Sequence, residues 1–83
     1  MMREVVITHE PVELYKILKF ESLVDSGGQA KTVIADGLVL VNGAVETRKR
    51  RKIHNGDVIR YKKPKETKER HLVVVRGDGM RIA

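Results

Sequence analysis

Gly37-Leu38-Val39-Leu40-Val41-Asn42-Gly43 decides the fold. Leu38 to Val41 is an apolar run of strand length. Asn42-Gly43 favours a type I′ turn, whose two positive φ angles match the twist of the flanking strands. Outward on the C-terminal side stand five consecutive basic residues, Arg48-Lys49-Arg50-Arg51-Lys52. Ile53 follows, then a second reversal at Asn55-Gly56 and a strand through Val58, Ile59 and Tyr61. A run of like charges usually belongs to a self-repelling tail. Flanked by strands, this one is held on a folded surface, and so dense a cationic patch suits a polyanion.

On the N-terminal side, Val5-Val6-Ile7 reads as a short strand. Pro11 suits the first turn of a helix, where its missing N–H costs nothing. Leu14, Ile17 and Leu18 recur at i, i+3 and i+4 and make one apolar stripe, with Lys16 and Lys19 off it. Phe20, Leu23 and Val24 carry the apolar content into a connection. Ser26 is a good N-cap and Gly37 a good C′ residue for a second helix, with Ala30, Val33 and Ile34 on its buried face. Two helices so closely joined are expected to pack together. Beyond Tyr61, residues 62–70 read as an exposed polar loop. Leu72 to Val75, the Gly77-Asp78-Gly79 turn and Met80-Arg81-Ile82 suggest a closing hairpin over about residues 71–83. No internal repeat is visible.

Eighty-three residues make one small domain, 1–83, near the lower size at which a hydrophobic core suffices. The absence of cysteine excludes disulfides, thiolate metal sites and cysteine nucleophiles. No apolar run approaches the roughly 20 residues of a membrane span. The N-terminus lacks the features of a secretory signal, so a cytoplasmic protein is expected. The net charge of +6 is unevenly spread. Residues 1–47 hold four Lys/Arg against seven Asp/Glu, a net of −3, and residues 48–83 hold thirteen against four, a net of +9. Such asymmetry suggests one face built for phosphate contact, against the plainer reading of a solvated basic surface.

Catalysis finds little support. His9, His54 and His71 are far apart in sequence, without metal-ligand spacing, and read as surface or rim residues. Ser26 is accounted for as an N-cap and has no evident base. G-x-G-x-x-G and Walker loops are missing. Arg76-Gly77-Asp78 spells an adhesion tripeptide, but with Gly79 it reads as a turn. Neither enzymatic activity nor a metal or cofactor is expected. Ser26-Gly27-Gly28-Gln29-Ala30-Lys31 admits two readings. The unpaired amides and dipole of a helix start can receive a phosphate, with two glycines letting it approach and Lys31 adding charge. Alternatively, the glycines only shape the turn between the helices. Tyr15, Phe20 and Tyr61 are the only aromatics, too few for base stacking along a single strand. That favours folded, duplex-containing RNA read by shape and phosphate.

Leu14 and Leu18, Ser26-x-x-Gln29-Ala30-Lys31, Ile34, Gly37-x-Val39-x-Val41-Asn42-Gly43 and Gly56-Asp57-Val58-Ile59 follow one another in an order that resembles the S-four RNA-binding domain. This αL motif is named after a ribosomal small-subunit protein. The resemblance covers roughly residues 11–61, and the Ser26–Lys31 segment with Arg48-Lys49-Arg50 is similar to the small stand-alone bacterial, ribosome-associated members. It implies an α+β fold, two short packed helices against a small, mostly antiparallel or mixed sheet. It also implies RNA contact by Ser26, Gly27, Gly28, Gln29 and Lys31 and by Arg48, Lys49, Arg50, Arg51 and Lys52. Two positions depart from the pattern: Gly27 stands where many members have Arg, and Glu13 where many have a basic residue. The basic run can replace that charge. Some relatives carry a pseudouridine synthase, methyltransferase or tRNA synthetase domain, and none is expected here.

The chain therefore reads as a non-catalytic RNA-binding module for structured RNA, with ribosomal RNA or a ribosomal subunit as the expected partner and no membrane partner. Two rivals stand beside it. One is a DNA-binding protein using the helices as a helix-turn-helix. The other is a protein-interaction module whose basic loop docks on an acidic partner. The oligomeric state is left open.

Overall fold

A computed structural model describes residues 2–62 and 69–77. The chain runs through β1 (Met2–Ile7), β2 (Val12–Glu13), α1 (Leu14–Phe20), α2 (Gly27–Ala35), β3 (Val39–Val41), β4 (Ala44–Val45), β5 (Lys52–Ile53), β6 (Val58–Lys62) and β7 (Glu69–Arg76). Five strands form a mixed sheet in the order β1-β7-β6-β3-β4, in which β1 and β7 are parallel and the other neighbours antiparallel. A separate two-stranded ladder joins β2 to β5. Both helices pack on one face of the large sheet. The α+β architecture is the one expected.

Most elements follow from local chemistry. Strand residues of one parity face the helices: Val5 and Ile7, Val39 and Val41, Ile59 and Tyr61, Leu72 and Val74 are buried. From the helices come Leu14, Ile17 and Leu18, and Ala30, Val33 and Ile34. Leu23 and Val24 join this core from the connection. Phe20 does not. Two residues after Leu18 it sits some 200° round the helix, on the opposite face, and is 68% exposed.

Ser26 caps α2, its Oγ accepting from the Gln29 amide at 3.1 Å. At the other end the Gly37 amide donates to Ile34 O and the Leu38 amide to Val33 O, at 3.0 and 3.1 Å. This is a Schellman closure, and Gly37 takes its left-handed position at φ +80°. Asn42 and Gly43, at φ 53° and 86°, form the expected type I′ turn. Asn42 also reaches sideways: its Oδ1 accepts from the Val58 amide at 2.9 Å and its Nδ2 donates to Asp57 Oδ1 at 3.0 Å. One side chain thus ties the two reversals together.

Two expectations change. Pro11 lies outside α1, which begins at Leu14, because Val12 and Glu13 are drawn into extended pairing with Ile53 and Lys52. The polar run 62–70 is strand at both ends, with Lys62 opposite Glu69, and residues 63–68 fall outside the described ones. The expected closing hairpin extends over residues 78–83, which also lie outside them. Both edges of β7 are occupied, one by β6 and the other by β1. The parallel β1–β7 pairing gives the N-terminal strand its place in the same sheet. Among the described residues no helix is long and apolar enough to cross a membrane.

Ile53 is fully buried on the short strand that ends the basic run. Ile53→Ala is expected to destabilise the protein by about 2–5 kcal/mol, read as a lower urea midpoint.

Candidate nucleic-acid interface

The basic run lies in the connection from β4 to β5, and backbone hydrogen bonds hold it there. The Arg51 amide closes a turn onto Arg48 O at 3.1 Å. The carbonyls of Arg51 and Lys49 then accept from the Leu14 and Tyr15 amides at 2.9 and 3.2 Å. These two amides open α1, where no partner exists within the helix, and Glu13 makes no side-chain cap. The loop backbone serves as that cap. Its carbonyl dipoles meet the positive end of α1, and Lys49, Arg50 and Lys52 remain exposed.

Beneath the loop sits Glu46, whose side chain is only 8% exposed. Its Oε2 accepts from the Arg48 amide at 3.0 Å and from Arg48 Nε at 2.9 Å, and its Oε1 from Arg48 Nη2 at 3.2 Å and Arg51 Nη1 at 2.6 Å. The Arg48 guanidinium, helped by the Arg48 amide and Arg51, outweighs burial and holds the Glu46 carboxyl at a pKa of about 2. Glu13 pairs more loosely, with Arg50 at 3.6 Å and Lys16 at 3.3 Å. Among the described residues Lys49 and Lys52 have no carboxylate partner.

Lys31 and Ala35 of α2 face the loop across an open groove of about 870 Å³, which Thr47, Arg48 to Lys52, His54 and Asp57 complete. The Lys31 ammonium stands 5.1 Å from the centre of the Tyr15 ring, a cation–π contact that ties α2 to α1 beside the loop. Burial would raise the Asp57 carboxyl, but hydrogen bonds from Asn42 and the His54 amide hold it below its ordinary value.

The fold therefore brings Lys31 together with Arg48, Lys49, Arg50, Arg51 and Lys52. Ser26, Gly27, Gly28 and Gln29 stand apart from that groove, at the start of α2. Ser26 Oγ accepts from the Gln29 amide, and Gln29 Oε1 accepts from the amide of Asp25, the residue before the cap, at 2.6 Å. A Cβ at Gly27 would meet nothing within 4 Å, and one at Gly28 only Ser26 Oγ at 3.8 Å. Packing within the chain demands neither glycine. Among the described residues there is no group of three or more His, Asp or Glu able to hold a metal ion.

Sequence reasoning missed Glu46, Tyr15 and the groove positions of His54 and Asp57. Glu46 had a signal: it is the single acidic residue between Asp36 and Asp57, two positions before the basic run. Its depressed pKa has a sign that can be checked. Stability from ionised Glu46 is complete above its ordinary value of 4.5 and is lost as pH falls towards about 2. Melting temperatures are expected to fall across this window, and less steeply in Glu46→Gln than in the wild type.

The chain is similar to known proteins in sequence and in structure. Residues 5–69 match the S4 domain family. The chain is 53% identical over 53 residues to YbcJ of Escherichia coli (strain K12), covering 64% of this chain and 76% of that protein. It is 36% identical over 59 residues to RlbA of Bacillus subtilis (strain 168), named as a probable ribosome maturation protein, covering 71% of this chain and 83% of the relative. The solution structure of Escherichia coli YbcJ, described as revealing an αL motif involved in RNA-binding, matches with a TM-score of 0.56 and 40% identity, over 87% of this chain and 85% of that one. With more than half its length matched and its two-helix, mixed-sheet fold shared, this chain belongs to the S4 domain family.

Proposed function

We propose that this protein is a non-catalytic binder of structured RNA, with ribosomal RNA in a ribosomal particle as its target and the cytoplasm as its place of action. The observation that carries this reading is the groove in which six cations, Lys31 and Arg48 to Lys52, converge from two elements on a hydrogen-bonded frame. The names of the relatives, one with an RNA-binding motif and one in ribosome maturation, agree with it. Residues 1–83 act as one domain, with the core of the RNA-binding motif at about 11–61.

Within the proposal the parts have distinct roles. Lys49, Lys52 and Lys31 neutralise backbone phosphates as point charges, and Arg48, Arg50 and Arg51 contribute the guanidinium edges left free by Glu46 and Glu13. Gly27 and Gly28 leave their helix-terminal amides open to a further phosphate, with Ser26 and Gln29 shaping that terminus. A DNA-reading helix needs free side chains in its first turns, whereas α2 offers two glycines and a Gln29 already tied to Asp25, which favours RNA.

Sedimentation of a lysate through a sucrose gradient, with and without ribonuclease, tests the target. The wild type is expected beside ribosomal particles, and Lys49→Ala/Arg50→Ala/Lys52→Ala, which leaves Glu46 paired, at the top of the gradient. Wild type at the top in both gradients refutes the ribosomal assignment. For purified protein and RNA, log affinity is expected to fall with log salt at a slope of about −3 to −4 if about four or five phosphates are neutralised, and less steeply in the triple variant. A salt-independent affinity overturns the mechanism.

A further inference from the structure

Glu46 presents an inconsistency if charge alone makes the RNA site. A protein that collects cations for phosphate has placed a carboxylate directly under them, and that carboxylate lowers the charge of the site by one. Yet Glu46 is the best-held side chain of the region. Its backbone amide donates to Val39 O at 2.9 Å, anchoring it to β3, and its two oxygens accept four hydrogen bonds from Arg48 and Arg51.

The geometry decides what those bonds do. Each guanidinium has five N–H donors. Arg48 gives two of them to Glu46 and Arg51 one, so three and four remain. Arg48 is still 74% exposed and Arg51 32%, and both line the groove. The carboxylate therefore fixes the direction of two planar forks without covering them. An unheld arginine would lose that rotamer freedom on binding, and here it is lost in folding. Glu13 makes a contrast on the same loop: its pair with Arg50 is a 3.6 Å contact without a hydrogen bond.

The geometry points to Glu46 as the positioning residue of the RNA site, orienting Arg48 and Arg51 for bidentate phosphate contact, so that the site reads the spacing of phosphates in folded RNA as well as their charge. The inference rests on the RNA-binding reading above. It makes a prediction opposite in sign to charge counting. Removing an acidic residue from a basic site strengthens polyanion binding if the residue only subtracts charge, and weakens recognition of structured RNA if it positions the arginines.

The test is equilibrium binding of the full chain to two probes, total ribosomal RNA freed of protein and heparin, a polyanion without base-paired structure. Glu46→Gln is expected to lose about tenfold or more in affinity for the RNA while binding heparin as tightly as the wild type or more so. Glu13→Gln adds the same charge without unlocking a hydrogen-bonded fork and is expected to bind both probes at least as tightly as wild type. Arg48→Lys/Arg51→Lys keeps the net charge and is expected to behave like Glu46→Gln towards RNA. Circular dichroism shows which variants are folded, and if Glu46→Gln is not, the double lysine variant decides. Undiminished RNA affinity in folded Glu46→Gln, or in the double lysine variant, overturns the positioning role and leaves the RNA-binding reading intact. Failure of the wild type to bind ribosomal RNA at low salt refutes that reading, and this inference with it.

Discussion

Five like charges in succession stay in one place only if something offsets their repulsion, which for close pairs in water is about 1 kcal/mol each. In this protein the offset is built from both backbone and side chain. Carbonyls of Lys49 and Arg51 satisfy the opening amides of α1, and the buried Glu46 carboxylate binds Arg48 and Arg51 from beneath. Loop and helix need each other: the loop gains anchors, and the helix gains the cap that Glu13 does not provide. Without this exchange a seven-residue helix would be short of stabilising bonds at its first turn, since so short a helix is marginal on its own.

The sheet supplies the frame on which that exchange takes place. β3 carries the turn at Asn42-Gly43 and, through Val39 O, the Glu46 amide. β6 follows the second reversal, which Asn42 and Asp57 tie to the first. Ile53, buried at the end of the loop, pairs with Val12 just before α1, so the loop is fixed at both ends. Three separate stretches of chain therefore agree on one position for the basic run. That agreement turns a charged sequence into a surface of defined shape.

A site of this kind gathers charge and limits its freedom together. Lysines 49 and 52 stay exposed, while two arginines are directed by a carboxylate that costs the site one unit of positive charge. Glu13 pairs with Lys16 and Arg50, and Gly27 leaves open space at the start of α2. The longest uninterrupted run of positive charge lies in the loop after the hairpin.

Much of this was legible in the residues alone. The stripe of Leu14, Ile17 and Leu18, the Ser26 cap, the Gly37 stop and the Asn42-Gly43 turn each depend on neighbours within a few positions, and each was found where periodicity and capping chemistry placed it. The convergence of Lys31 on the basic run was not written in any local pattern. The start of α1 was misplaced at Pro11, and the strand character of Lys62, Glu69 and Arg70 was hidden by their polarity. Sequence by itself determined most of the elements, their order and the sign of the basic surface, because hydrophobic period, turn residues and charge are properties of short segments. Tertiary structure alone decided that Glu46 lies under the arginines, that Leu14 and Tyr15 donate to the loop, and that β1 joins β7. Those contacts join residues distant in the chain or set the burial of a side chain, and only closing the chain around one core brings them about.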